Sequence, residues 1–349
     1  MMTPWLEAFP RTAKPIIEET DSVLNVNLSK IISEGTNATL TATENAQPAI
    51  MATSVLIWRI LEQEFGFKTG ERVDFTLGHS LGEFAALIAG GYLNFPDALY
   101  LVRKRAEVMA RVSKEACEEA GGEVGMVALI CESEAHMDEL INGVYDFIGL
   151  SSPGSKHDSA EHIPPVDQVT IANINSKNQI VLSGSLEKIN TLLKHLRSFG
   201  GHDPRHHRLK ADSPFHNPLM KPATDILMKL LHSPSPFTGK DMITFPGIMP
   251  CISNVSGHPM KSSIQLKDHL ARQCVETVLW RDSIRYLDRE QKVRRWLGIG
   301  PGHVGRNLVG KEVGMKGAVK GGGVWGITSP KDIEEIVKAL DDTEQADED

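Results

Sequence analysis

The segment DFTLGHSLGEFAALIAGG, residues 74–91, holds the residues best placed for chemistry. Gly78-His79-Ser80-Leu81-Gly82 matches the G-x-S-x-G pattern, and it lies between an apolar run that predicts a strand and a run that predicts a helix. That context defines a nucleophile elbow, a tight turn that lifts a serine Oγ clear of a sheet. The glycines at 78 and 82 leave room for the turn, and the Leu81 amide, at the helix start, aims toward a developing oxyanion. An idle serine in a glycine-flanked turn is the competing reading.

A serine nucleophile needs a base, and the chain has 13 histidines. His79 adjoins Ser80, but successive elbow residues point different ways. His206 and His207 lie with arginines on an expected outer strand. His216, in ADSPFHNPLMKPA, sits on a loop just before a helix, where a structural role competes with a catalytic one. No acid between Ser80 and His216 has a turn context suited to the Ser–acid–His order of α/β hydrolases. A pair whose imidazole is oriented by something other than a carboxylate is therefore expected. Arg105 lies at the edge of an apolar helical stripe, beside Val102 and Met109, while Arg103 and Lys104 point away. An inward guanidinium wants an anion. Either a protein carboxylate or the free carboxylate of a bound acyl group meets that need.

The elements that must position these groups follow from patterning. Helices are expected over much of 4–34, over a long run ending near 65 with Ile50, Val55, Ile57, Trp58, Ile60 and Leu61 facing a core, and after Pro96. Strands are expected at 73–77, 249–257 and in VRRWLGIG, followed by a Gly-rich stretch over 300–327. Between them the order from 124 is β-α-β-β-α-β, that of a ferredoxin-like unit. The reading is an α/β fold: a doubly wound, hydrolase-like large domain, residues 1–122 and 212–349, with a small ferredoxin-like α+β domain inserted at 123–211. Ser, Pro and Gly at 149–167 predict a flexible surface insertion.

Composition bounds the function. With 349 residues, 41% hydrophobic and 23% charged, the chain has material for a large core. A net charge of −8 excludes a general nucleic-acid binder, and the acidic tail DDTEQADED is expected to fray. Four scattered cysteines without C-x-x-C predict free thiols and neither a metal site nor a disulfide framework. No apolar run approaches a membrane span, and the first residues carry no signal or transit pattern.

The ordered set QPAIMATS, GHSLGEFAALIAGG, LVRKRAEVM, NINSKNQIVLSG, SPFHNPLMKPA, ISNVSG, HLARQCVETVLW and GIGPGH resembles the malonyl-CoA:acyl carrier protein transacylases over nearly the whole chain. The resemblance implies transfer of a malonyl group from malonyl-CoA to the phosphopantetheine thiol of acyl carrier protein, through an acyl-serine, for fatty-acid synthesis. No cofactor or metal is implied. It makes Ser80 the nucleophile, His216 the base and later acid, and Arg105 the grip on the malonyl carboxylate. It gives the backbone carbonyl of Gln273 the task of orienting the histidine. Phe215 and Leu81 point to malonyl over bulkier acyl groups, and Asn173 and Asn175, in an expected NINS turn, border the cleft or serve the turn. The partners expected are acyl carrier protein and malonyl-CoA, with no nucleic acid, no membrane and a monomeric enzyme. RHHRLK (205–210), Arg294, Arg295 and Lys311 form a candidate basic face for an acidic carrier, or a solvated charge run. A eukaryotic type in the mitochondrial matrix is expected from the resemblance together with the insertion.

One departure stands out. The family's first strand ends in a Gly-Gln-Gly loop whose glutamine helps form the oxyanion hole, and no Gly-Gln-Gly occurs here. A truncated form is expected, from a misplaced start codon, an isoform or a fragment, with a strand edge left open. Two other functions compete with acyl transfer. A serine hydrolase requires an acid on His216 and an internal partner for Arg105. A binding protein of little activity would follow from the absent loop.

Overall fold

The computed structural model describes residues 1–149, 164–210, 213–314 and 322–348. Eight strands occur among the described residues: β1 (Thr76–Leu77), β2 (Val124–Ile130), β3 (Thr170–Ser176), β4 (Gln179–Ser185), β5 (Arg205–Arg208), β6 (Cys251–Ile252), β7 (Arg295–Ile299) and β8 (Gly323–Ile327). They form an α/β fold with two kinds of sheet. β1 pairs in parallel with β6, and β7 in parallel with β8. The middle strands form an antiparallel sheet in the order β3-β4-β2-β5, the ferredoxin-like arrangement.

Helices flank the parallel pairs. Thr43–Phe65 and Phe95–Ala120 supply much of the large core, through Leu56, Ile57, Ile60, Leu99, Val102 and Met109. The second helix begins where the Asn94 side chain accepts a hydrogen bond from Asp97 N, with Pro96 in the first turn, and ends at left-handed Gly121. Helices Glu134–Ile148 and Leu186–Phe199 cover one face of the antiparallel sheet with a separate core containing Leu129, Leu140, Ile180 and Leu192. Met126, Ala128, Ala172 and Val181 form the opposite face, against which Phe215 and Leu209 pack. The outer edge of β3 is stitched to the segment before helix Trp280–Arg285: Ile174 N donates to Val278 O at 3.0 Å, and Val278 N to Ala172 O at 2.8 Å.

Several sequence expectations change. β1 and β6 are shorter than the apolar runs that announced them, because each has one partner and the chain turns away at Gly78 and Ser253. Among the described residues, the remaining edges of β1 and β7 are unpaired and border one cavity of about 1210 Å³. Phe75, Leu77, Leu297 and Ile299 line it, and Ser80 and Gly82 lie on its wall. Ile50, expected in the core, is 39% exposed and lines the same cavity. The Gly-rich stretch contains helix Val304–Val313 as well as β8, and the acidic tail continues helix Asp332–Glu348. Asn173 and Asn175 lie on β3, not in a turn. Most of the expected insertion, 150–163, lies outside the described residues; Pro165–Asp167 form a single 3₁₀ turn.

Candidate active site

Ser80 occupies the turn between β1 and helix Gly82–Ala89 with φ +50°, a left-handed conformation that few non-glycine residues adopt. A Cβ on Gly78 would fall 2.0 Å from Gly82 C and O, so glycine is obligatory there. Gly82 is different: a Cβ at that position meets nothing within 4 Å, so the expectation that both glycines relieve crowding holds only for Gly78. The bonds of the turn begin with Gly82 N to His79 O and Glu83 N to Ser80 O. The Leu81 N–H stands ahead of them, at the positive end of the helix.

His216 also adopts a positive φ, +57°, on the loop between β5 and the turn Pro218–Met220. Its carbonyl accepts from Thr170 Oγ1 at 3.0 Å. The neighbouring Asn217 side chain donates to Gln168 O and Ser183 O, both at 3.1 Å, and accepts from Leu219 N. Those bonds tie the loop to the antiparallel sheet. The imidazole is 2% exposed, and its Nε2 lies 2.8 Å from Ser80 Oγ. Nδ1 lies 2.6 Å from Gln273 O and 3.1 Å from Glu276 O. Both of those partners are carbonyl acceptors, so Nδ1 carries the hydrogen and the Nε2 lone pair faces the serine hydroxyl. Burial, then the charges of Arg105 and His79, lower the His216 pKa to about 3, although the two carbonyl contacts oppose the shift. The imidazole is thus neutral at neutral pH.

Arg105 is 1% exposed, on helix Phe95–Ala120. Its Nη1 donates to Gln47 Oε1 at 2.5 Å, and its Nε has no hydrogen-bond partner among the described residues. No carboxylate there forms an ion pair with it either; Glu83 acts on it only through space. Glu83 is 0% exposed, and burial raises its pKa to about 8. The guanidinium therefore keeps donor capacity for an anion at the site.

A family model for the acyl transferase domain matches residues 8–146. Over 299 residues the chain is 34% identical to a protein of Bacillus subtilis (strain 168) named malonyl CoA-acyl carrier protein transacylase, covering 86% of this chain and 82% of that one. The chain belongs to the malonyl CoA-acyl carrier protein transacylase family. Among solved structures, an acyl-carrier-protein-S-malonyltransferase from Bartonella henselae superposes with a TM-score of 0.74 at 30% identity, covering 98% of this chain and 95% of that one. A malonyl-transacylase solved in complex with a type II PKS acyl-carrier protein gives a TM-score of 0.74 at 26% identity, covering 98% and 94%.

Other residues of this transacylase-family chain fall into place around the pair. Gln273 contributes its backbone carbonyl to His216, while its side-chain amide has no partner among the described residues. Phe215 is half-buried where the large core meets the antiparallel sheet, one residue before the base. Asn173 is buried with Nδ2 unpartnered among the described residues. His79 is not a base for Ser80: its Nε2 donates to Asn175 Oδ1 at 2.8 Å, and its ring packs edge-on against Trp280. His206 and His207 are exposed on β5, whereas His216 is buried. In the basic run, Arg208 is paired with Glu123, and Arg294 is held by Asp288.

Sequence reasoning missed Asn254, Gln47, Glu83 and Glu276. Gln47 holds Arg105, and the Glu276 carbonyl is a second acceptor for His216. Asn254 Oδ1 accepts from Ser80 N at 2.7 Å, and its Nδ2 donates to Gly78 O at 2.7 Å. For Gln47 and Asn254 the only signal was membership in the matching segments QPAIMATS and ISNVSG. A backbone acceptor such as Glu276 O leaves no signature in residue type.

Proposed function

We propose that the protein transfers a malonyl group from malonyl-CoA to the phosphopantetheine thiol of an acyl carrier protein, by a ping-pong reaction through malonyl-Ser80, for fatty-acid synthesis. The observation that carries this reading is the Ser80–His216 pair beside a buried arginine, Arg105, whose charge acts on His216 and which has no carboxylate ion pair among the described residues. In the first half-reaction His216 Nε2 takes the Oγ proton as Oγ attacks the thioester carbonyl. The Leu81 N–H and the helix start stabilise the oxyanion. The tetrahedral species collapses, the C–S bond breaks, and the imidazolium returns its proton to the CoA sulfur. In the second half His216 accepts the carrier thiol's proton, the sulfur attacks malonyl-Ser80, and Ser80 leaves with the proton. The carbonyls of Gln273 and Glu276 hold the imidazole and stabilise its cationic form, as a carboxylate does in other serine enzymes.

Arg105 grips the malonyl carboxylate and so selects malonyl over acetyl. Phe215 and Leu81 limit the size of the acyl group, and Asn173 borders the cleft. The same reading divides the chain into a catalytic domain, 1–122 with 212–349, and a small domain, 123–211. Exposed Arg205, His206 and His207 support carrier docking on that side, which salt would weaken. A mitochondrial matrix location belongs to the proposal, and imaging of the tagged gene product tests it.

Intact mass after incubation with malonyl-CoA tests the chemistry. One malonyl group should appear on wild type, none on Ser80→Ala, and holo acyl carrier protein should discharge it. Arg105→Ala should lose preference for malonyl-CoA over acetyl-CoA, and Arg105→Lys should restore little of it, because an ammonium lacks the two-point fork. Continuous CoA release without carrier would favour a hydrolase, against which the carbonyl partners of His216 already argue.

The cavity between β1 and β7 supports one further part of the proposal: among the described residues it leaves room for one more strand. An extended segment there would pair with both open edges in parallel, and a Gly-Gln-Gly loop at its end would add an oxyanion donor opposite the Leu81 N–H. A protein in which such a strand fills the cavity should turn over on the order of 10²–10³-fold faster than residues 1–349 alone. Equal turnover in the two forms would sink this part of the reading.

A further inference from the structure

Asn254 makes four hydrogen bonds that together join the nucleophile to the segment holding its base. Its Oδ1 accepts from Ser80 N and its Nδ2 donates to Gly78 O, so one carboxamide grips the elbow on both sides of His79, each bond being 2.7 Å. Its backbone N donates to Glu83 Oε1 at 3.2 Å, on the first turn of the helix after Ser80. Its carbonyl accepts from Leu279 N at 2.9 Å. Residue 279 ends the segment whose Gln273 and Glu276 carbonyls orient His216. Asn254 itself is 4% exposed, so these bonds do not compete with bulk water.

We infer that Asn254 is a positioning residue for the Ser80–His216 pair, acting as a two-point clamp that holds the left-handed elbow in register with the base. The physical need is plain in the backbone. Ser80 at φ +50° is a strained conformation that persists only where its surroundings fix it. Neighbouring turn bonds restrain His79 O and Ser80 O but leave Ser80 N and Gly78 O to Asn254. The amide side chain sets a donor and an acceptor side by side without needing a proton from solvent, matching a carbonyl and an N–H two residues apart. The clamp has a second consequence. It occupies the Ser80 N–H, so the oxyanion donor supplied by the elbow is the Leu81 N–H alone. Glu83 anchors the clamp from below through the Asn254 backbone, which gives this buried acid a use that the transfer chemistry does not.

The inference rests on the proposed Ser–His chemistry, and its test separates the two. The probe is a neutral fluorophosphonate, which reports Ser80 reactivity whatever acyl group the enzyme prefers. Wild type should label, and Ser80→Ala should not; absence of wild-type labelling would refute the nucleophile assignment rather than the clamp. Asn254→Ala should label on the order of 10²-fold more slowly, the scale expected when reacting atoms are misplaced by about 1 Å. Asn254→Asp supplies the readout that a merely structural role would not move. Its protonated carboxyl can donate to Gly78 O and accept from Ser80 N, whereas its carboxylate sets two acceptors against that carbonyl. Labelling of Asn254→Asp should therefore recover as pH falls from 7 to 5, while Asn254→Ala stays slow throughout. Glu83, with a pKa of about 8, stays largely protonated over that window in both variants. Wild-type labelling rates in a folded Asn254→Ala would overturn the inference. Should Asn254→Ala fail to fold, a pH profile of Asn254→Asp parallel to wild type would overturn it equally.

Discussion

The low pKa of His216 makes a sharp prediction about pH. An ordinary histidine, with a pKa near 6.5, would be only about 9% neutral at pH 5.5, so a reaction that depends on it would slow roughly tenfold between pH 7.5 and 5.5. Burial first, then the positive charges of Arg105 and His79, hold His216 at about 3, so it remains almost wholly neutral across that range. The rate of Ser80 phosphonylation by a neutral fluorophosphonate should be flat from pH 8 to 5. Its plateau should be low for a Ser–His pair, because a base of lower pKa draws the proton less strongly. The assay is the time course of adduct by intact mass at fixed reagent concentration, with Ser80→Ala as the control for other sites. A neutral probe matters, since a bound malonyl carboxylate would offset the Arg105 charge and move the His216 pKa upward. A tenfold fall with a midpoint near 6.5 would refute the reasoning: it would mean that water or a carboxylate reaches the imidazole. The same shift has a stability sign. The folded pKa lies below the unfolded one, so this contribution is present above about 6.5 and is lost as pH falls toward 3. From pH 7 to 5 the loss is about 2 kcal/mol, read as the difference between wild type and His216→Asn.

Two further outcomes follow from the geometry around the elbow. Gly78→Ala should cost at least about 2 kcal/mol and abolish fluorophosphonate labelling, since its Cβ would lie 2.0 Å from backbone atoms that cannot rotate away. Gly82→Ala should change stability by about 1 kcal/mol or less and leave labelling intact, because its Cβ enters open space. Thermal melts with labelling compare the pair directly, and equal damage from both would be the contrary result. Glu83 gives the opposite pH sign to His216. Its folded pKa of about 8 lies above the unfolded value, so its contribution is full below about 4.5 and is lost as pH rises through 8. Glu83→Gln should therefore gain stability relative to wild type between pH 5 and 9, on the order of a few kcal/mol. Parallel stability curves for the two proteins would mean that Glu83 is ionised in the folded state.

Much of the architecture was legible because it is written locally. The 3.6-residue periodicity marked the helix after Pro96, which runs over Phe95–Ala120. The β-α-β-β-α-β order yielded the antiparallel unit, since alternating patterns and short turns fix neighbours that are close in sequence. The turn presenting Ser80 was legible from the glycines at 78 and 82, but its left-handed backbone was not. Less legible were the short strands β1 and β6, because strand length depends on partners that sequence patterning does not display. Ile50 misled for the same reason: its helical face is apolar, but it looks onto the cavity between β1 and β7.

By itself, then, the sequence determined which residues could act: a serine on an elbow, a loop histidine and an inward arginine, each recognisable from its immediate neighbours. Only the tertiary structure decided that they meet, bringing Ser80 and His216 to 2.8 Å across 136 residues. It also decided what surrounds them. Two backbone carbonyls, not a carboxylate, meet His216 Nδ1, Asn254 holds the elbow, and Arg105 donates to Gln47. The physical reason is that burial, partner atoms and electrostatic environment are properties of long-range packing. Residue type sets only what a group is able to do once packing has placed it.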